Sequence, residues 1–141
     1  MSKYIDFKNK QQAEYEAFPQ FFAFNNNQFA EGMAKFGLTP DDKDKIISIG
    51  GGGFILKSDK EKFLTLLEKL ANDHQEMLKD EQYVYEMFRY ELANHEYCIT
   101  YDLDDTLDAC GLTADEVNKN PMLLAALKKA RKDYLKNAAY E

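Results

Sequence analysis

Four consecutive glycines, Gly50 to Gly53, interrupt the chain between two short runs of β-branched and aromatic residues. The runs, IISI at 46–49 and FILK at 54–57, have the composition of strands, and glycine tolerates the positive φ angles of a tight turn. This segment therefore predicts a β-hairpin. A phosphate-cradling loop is the alternative, but such a loop leads into a helix, whereas a second strand is expected to follow these glycines.

Most of the remaining sequence carries helical patterns. A capping box at 58–61 precedes an apolar stripe at helical spacing over 63–78. Further helices are predicted over 80–94, with an aspartate at the N-cap, and over 120–138, with an Asn-Pro start. A second capping box at 113–116 predicts a short helix before the last one.

The aromatic run from Phe21 to Phe24 follows Pro19 and precedes three asparagines, which predicts a third strand. The predicted fold class is therefore α+β: one mostly helical domain, residues 1–141, with a small antiparallel sheet made of this strand and the hairpin around Gly50–Gly53. A chain of this length can bury one hydrophobic core without disulfides.

Cysteine content and the first residues bear on localisation. The two cysteines, Cys98 and Cys110, are too few for a disulfide framework and favour a reducing compartment. No apolar run approaches the length of a membrane span, and the start MSKYIDFKNKQQ lacks the apolar core of a secretory signal. We expect a cytoplasmic protein that does not bind membranes.

Charge is distributed unevenly along the chain. From Asp80 to Glu116 there are eleven acidic residues and one arginine, whereas from Lys119 to Glu141 there are six basic and two acidic residues. Nucleic-acid binding requires a basic face, so no direct nucleic-acid contact is expected. The acidic block suits a basic protein partner. The alternative is that this block is only a solvated surface. The opposite charges of the two segments are also compatible with a homodimer.

The octet TYDLDDTL at 100–107 resembles the nucleophile loop of haloacid-dehalogenase-type phosphatases. The resemblance implies an Mg²⁺-dependent phosphatase in which Asp102 attacks a phosphoryl group and Asp104 acts as acid and base. In that family the loop follows the first strand of a parallel sheet, but here only a short tail without strand–helix alternation follows Leu107. We favour another interpretation, the acidic first turn of a small helix that ends at Gly111.

Partial metal-binding patterns lie in the same region. The acidic spacing from Asp102 to Asp108 matches the first ligand positions of an EF-hand, but the required glycine and final glutamate are absent. His95 and Cys98 form only half of a zinc site. We therefore predict a non-enzymatic protein without a metal, a cofactor or a catalytic residue.

A histidine and three tyrosines stand out on the predicted helices. His74 lies on the apolar stripe and is expected to be a packed residue instead of a ligand. Tyr83, Tyr90 and Tyr97 recur at seven-residue spacing. They form either an exposed row suited to a protein interface or core packing with hydroxyls at the rim.

Two stretches, IISIGGGGFILKSDKEKF (46–63) and MFRYELANHEYCITYDLDDTLDACGLT (87–113), resemble a family of small proteins carried by phages and mobile elements of gut bacteria. Length and acidity agree with this resemblance, which runs through residues 19–135. Some members of that family are type II-A anti-CRISPR proteins. The resemblance implies an inhibitor of Cas9, with or without guide RNA, acting in the cytoplasm of a bacterial host.

Cas9 holds nucleic acid in positively charged channels, where carboxylates of an inhibitor can take the place of phosphates. On this hypothesis the partner-binding surface contains six acidic residues: Glu91, Glu96, Asp102, Asp104, Asp105 and Asp108. A structural accessory protein of a mobile element is the remaining interpretation.

Overall fold

The computed structural model describes residues 2–95, 97 and 102–138. The described helices are α1 (Lys3–Glu16), α2 (Asn26–Lys35), α3 (Lys60–Met77), α4 (Glu81–Asn94), α5 (Asp104–Ala109), α6 (Ala114–Lys119) and α7 (Pro121–Ala138). The described strands are β1 (Phe21–Phe22), β2 (Ile46–Gly50) and β3 (Gly53–Leu56). The predicted class, mostly helical α+β with a small antiparallel sheet, is confirmed.

Contacts within the chain divide it into two compact units. The sheet unit is Lys10–Ala71, and the helical unit combines Met1–Asn9 with Asn72–Glu141. Each unit has its own hydrophobic cluster and is described by itself. That the chain folds as a single domain stays a prediction.

The sheet unit contains an antiparallel sheet with strand order β1-β3-β2. The turn between β2 and β3 places Gly50, Gly51 and Gly52 at φ angles of 86°, 59° and 81°, which residues with a Cβ rarely adopt. β3 begins directly after this turn, at Gly53. The predicted hairpin is confirmed, and the phosphate-loop alternative is wrong because a strand follows the glycines instead of a helix N-terminus.

The small core of the sheet unit forms around Phe21 on β1. Its ring is 4% exposed, stacks on Phe54 of β3 with centroids 5.3 Å apart, and lies against Gly32 of α2. A Cβ on Gly32 would lie 2.0 Å from the Phe21 ring, so only glycine fits at this crossing. The neighbouring Phe22 and Phe24 are 52% and 76% exposed.

The helical unit is built around α4, whose inward face is almost fully buried. Asp80 caps this helix, because its Oδ1 accepts a hydrogen bond of 3.1 Å from the Tyr83 amide. Asn120 caps α7 in the same way, through the Met122 amide at 3.1 Å, and both predicted caps are confirmed. The core side chains that α4 and α7 contribute are Tyr83, Val84, Met87, Phe88, Leu92, Leu123, Leu127 and Ala130.

One expectation for the helices is wrong. Ser58 does not form the N-cap of α3, because Lys57–Asp59 is a 3-10 turn that leads directly from β3 into the helix and keeps Ser58 out of the extended conformation an N-cap needs. Of the two alternatives for Tyr83, Tyr90 and Tyr97, the exposed row is not observed. Tyr83 and Tyr97 are buried, and only Tyr90 is exposed.

Among the described residues, no helix has both the length and the apolarity needed to cross a membrane.

Candidate functional site

The candidate site is the acidic face, defined as Asp102, Asp104, Asp105 and Asp108, all of which are exposed. Asp104 and Asp105 occupy the first turn of α5, where carboxylates interact favourably with the free N–H groups of the helix start. Oδ1 of Asp102 accepts a hydrogen bond of 2.9 Å from the Asp104 amide, which fixes the turn into the helix. The predicted acidic first turn is therefore confirmed.

Three of these carboxylates have no partner in the part of the chain that the structure describes. Neither a hydrogen bond nor an ion pair engages the side chains of Asp104, Asp105 or Asp108. In the sequence, no lysine or arginine lies between Arg89 and Lys119. Asp104, Asp105 and Asp108 therefore present negative charge with no lysine or arginine close to them in the sequence.

The opposite side of α5 is buried in the helical unit. Thr106 is fully buried and its hydroxyl donates a hydrogen bond of 3.5 Å to the Glu91 carbonyl, while Leu107 is 6% exposed. Gly111, at φ 69°, lets the chain reverse so that the Leu112 amide donates to the Leu107 carbonyl at 2.9 Å. Gly111 thus ends this helical segment as predicted. Because the inward side of α5 is packed in the helical unit, the position of the exposed carboxylates on α5 is fixed.

His74 closes the C-terminal end of α5. Its Nε2 lies 2.7 Å from the Cys110 carbonyl oxygen, which can only accept, so Nε2 carries the proton and donates. Nδ1 is then the acceptor for the Tyr83 hydroxyl at 3.1 Å. This half-buried histidine is a packed residue, as expected. It also caps α5, because it donates a hydrogen bond to the Cys110 carbonyl at the end of that helix.

Glu91 does not belong to the surface predicted for it. Only 1% of it is exposed, and its Oε1 accepts hydrogen bonds from the Tyr4 hydroxyl at 2.6 Å and from Lys8 Nζ at 3.2 Å. Oε2 lies 3.3 Å from Nε2 of His95. The prediction is wrong because Glu91 lies on the inward face of α4, where its charge is compensated internally. Glu96, which was also predicted for this surface, lies outside the described residues.

The surroundings of Glu91 also set its protonation. Burial acts to raise the pKa of its carboxyl, but the hydrogen bonds from Tyr4 and Lys8 and the charge of Lys8 outweigh burial and hold that pKa below its usual value. Burial and the hydrogen bond to Glu91 raise the pKa of the Tyr4 phenol. Glu91 is therefore an ionised carboxylate at neutral pH, and its place is structural.

Cys110 packs beside this cluster as an inert thiol. It is 1% exposed, and burial, with a contribution from the Glu91 charge, raises its pKa to about 12. A thiol that stays protonated and buried is a poor nucleophile and a poor metal ligand. Cys98 lies outside the described residues.

The arrangement of α5 also bears on the metal-binding alternatives. An EF-hand loop wraps its oxygen ligands around the ion, but here the residues from Asp104 to Ala109 form a helix and Thr106 points into the core. Within the described ranges, no group of three or more His, Cys, Asp or Glu side chains is placed to hold a metal ion. The calcium-loop pattern is therefore a consequence of helix-start chemistry.

Sequence reasoning missed the internal role of Glu91. A signal was present, because Glu91 follows the buried Val84 and Phe88 by seven and three residues and so falls on the apolar stripe of α4. The partners of Glu91 could not be read in this way, since Tyr4 lies 87 residues earlier in the chain.

Comparison with known proteins places the chain in a family. No curated protein and no solved structure matches it. The model of a family of unknown function (DUF7659) matches residues 3–133, which includes α4, α5 and the acidic face. Since the match covers nearly the whole chain, this protein belongs to the DUF7659 family.

Proposed function

We propose that this protein is a non-enzymatic, protein-binding inhibitor of the anti-CRISPR type, which uses its acidic face to occupy a basic, nucleic-acid-binding region of Cas9. The observation that carries the proposal is the exposure of three carboxylates, on Asp104, Asp105 and Asp108, along one short helix whose other side is buried. Within the part of the chain that the structure describes, these three have no partner. Cas9 is the expected partner because of the resemblance described above.

The physical argument concerns preorganisation. Carboxylates on a packed helix are already ordered before binding, so little conformational entropy is lost when a partner's arginines or lysines approach them. Negative charge on such a surface also steers the encounter with a basic channel and speeds association at low salt. Glu91 takes no part, because its carboxylate is buried and already paired.

The decisive experiment titrates the protein into a DNA-cleavage assay with Cas9 and its guide RNA. The parent protein is expected to suppress cleavage, and the triple variant Asp104→Asn, Asp105→Asn, Asp108→Asn is expected to inhibit at least tenfold less well, as loss of three charge pairs predicts. Asp102 is left unchanged because it orders the start of α5.

A matched control removes the same charge from the sheet unit. The variant Asp41→Asn, Asp44→Asn, Glu61→Gln neutralises three exposed carboxylates there and should inhibit like the parent. If the α5 triple variant inhibits as well as the parent, the acidic face is not the binding surface. If the parent itself leaves Cas9 activity unchanged, the proposed inhibition is wrong.

A separate assay tests the alternative that the protein is a phosphatase. A phosphatase would hydrolyse a generic aryl phosphate with Mg²⁺ and lose this activity in Asp102→Asn. We expect no hydrolysis that depends on Asp102, whose carboxylate accepts the Asp104 amide hydrogen at the helix start.

A further inference from the structure

A groove of about 600 Å³ lies between α4 and α7 in the helical unit. We name it the α4–α7 groove, and its lining includes Glu81, Tyr85, Met122, Ala125, Ala126 and Lys129. Asp80 also lines it and is paired with Lys3 at 2.9 Å. It is separate from the acidic face, which lies on α5 and the turn before it. The proposed Cas9 inhibition does not use it.

The α7 side of the groove has the pattern of a helix-docking surface. Met122, Ala125, Ala126 and Lys129 fall at i, i+3, i+4 and i+7, which places them along one face of the helix. Ala125 is exposed and Ala126 half-buried, so the middle of this face is apolar and flat. Small residues at this position let a second helix approach closely.

The two ends of the groove carry opposite charge. Tyr85 contacts α7 through Lys129, whose Nζ lies 4.9 Å from the ring centroid, and through a hydrogen bond of 2.6 Å to Asp133. Arg89, one turn after Tyr85, donates a hydrogen bond of 3.3 Å to the same hydroxyl, and its charge acts on Asp133. The two helices therefore run in the same direction here, and Glu81, one turn before Tyr85, lies toward the Met122 end of the groove. Glu81 is exposed and has no partner among the described residues.

This charge arrangement is complementary to itself. From Met122 to Lys129 the groove runs seven residues, roughly 10 Å along the helix axis. A two-fold axis through its centre exchanges the ends, and so brings the acidic end of each copy to the basic end of the other. An isologous dimer requires this kind of self-complementary surface.

We propose that the α4–α7 groove is a homodimer interface, in which the two-fold axis passes near Ala125 and Glu81 of each copy pairs with Lys129 of the partner subunit. The alanine face of α7 packs against the same face of the second copy. The ion pairs lie at the rim, where they set orientation more than affinity.

Sedimentation velocity over a concentration series tests the proposal on the full chain. The parent protein is expected to shift from the monomer mass of 16.3 kDa toward twice that mass as concentration rises. Ala125→Glu places a charge at the centre of the interface and should keep the protein monomeric. Ala34→Glu, at an exposed alanine of α2, is the matched control and should dimerise like the parent.

A charge swap tests the pairing itself. Glu81→Lys and Lys129→Glu should each raise the dimer dissociation constant roughly tenfold, because like charges then meet twice across the axis. The double variant should recover most of the parent affinity. A parent that stays monomeric at all concentrations, as expected if the groove holds another protein or a small molecule, overturns the proposal. A dimer insensitive to Ala125→Glu, or singles that the double variant does not rescue, overturns it as well.

Discussion

The Tyr4 hydroxyl donates a hydrogen bond of 2.6 Å to Oε1 of Glu91, which joins the first turn of α1 to the last turn of α4. Both side chains are buried. Lys8 adds a second donor to the same oxygen at 3.2 Å, and its ammonium lies 4.8 Å from the centroid of the Tyr90 ring. A buried carboxylate with such partners stabilises the fold only while each partner is present, because an unpaired buried charge is costly.

Removing the Tyr4 hydroxyl is therefore expected to destabilise the protein. Tyr4→Phe keeps the ring and its packing but leaves Glu91 with one donor fewer, which should lower the free energy of unfolding by about 1–3 kcal/mol. Urea denaturation measures this. Tyr90→Phe is the matched control, because Tyr90 is 39% exposed and should change stability by less than about 0.5 kcal/mol. Equal effects of the two variants would contradict this account of Glu91.

The lowered pKa of Glu91 gives stability a defined pH dependence. A carboxyl whose pKa is lower in the folded state contributes stability above its unfolded value of 4.5, and this contribution is lost as pH falls through the lowered folded pKa. Glu91→Gln should thus be less stable than the parent at neutral pH, and the difference should shrink below about pH 4.5. Urea titrations between pH 3 and 7 measure it; a difference that stays constant over this range would refute the assignment.

His74 is expected to stabilise the C-terminal end of α5 against local opening. In His74→Ala the Cys110 carbonyl loses its donor, so the amides from Leu107 to Leu112 should exchange with solvent roughly five- to tenfold faster, as loss of about 1 kcal/mol predicts. Hydrogen exchange resolved by segment measures this. His74→Gln retains a donor and should restore part of the protection. No change in either variant would show that the cap is unimportant.

Gly32 is expected to tolerate no side chain. Alanine normally stabilises a helix relative to glycine by about 1 kcal/mol, but at this position its Cβ would collide with the buried Phe21 ring. Gly32→Ala should therefore lower the free energy of unfolding by about 1–3 kcal/mol, measured by urea denaturation. Phe21→Leu in the same chain should recover part of this loss. A stabilising Gly32→Ala would show that the Phe21 ring is free to move away.

Features that arise from neighbouring residues could be predicted from the sequence. The glycine hairpin, the caps at Asp80, Thr113 and Asn120, and the stop at Gly111 each depend on a few consecutive residues. The exposed acids of α5 belong to the same class, since helix-start chemistry both selects aspartate and leaves it in solvent.

Features that depend on the surrounding structure, such as the partners of a buried side chain or the point where a strand ends, were missed. Glu91 was assigned to the surface by its charge, although its position on α4 and its contacts with Tyr4 and Lys8 bury it. Ser58 has the right identity for a cap but lies inside a 3-10 turn that follows from where β3 ends. In both cases tertiary structure overrode a correct local preference.

The shortness of β1 has a consequence for the behaviour of the protein in concentrated solution. An outer strand with unpaired backbone groups can template further strands and so promote aggregation, and exposed Phe22 and Phe24 would add to that tendency. β1 contains only two residues, however, and α2 begins four residues later. So short a ladder gives an incoming chain few hydrogen bonds, and the sheet is thereby protected at this edge against growth into fibrils.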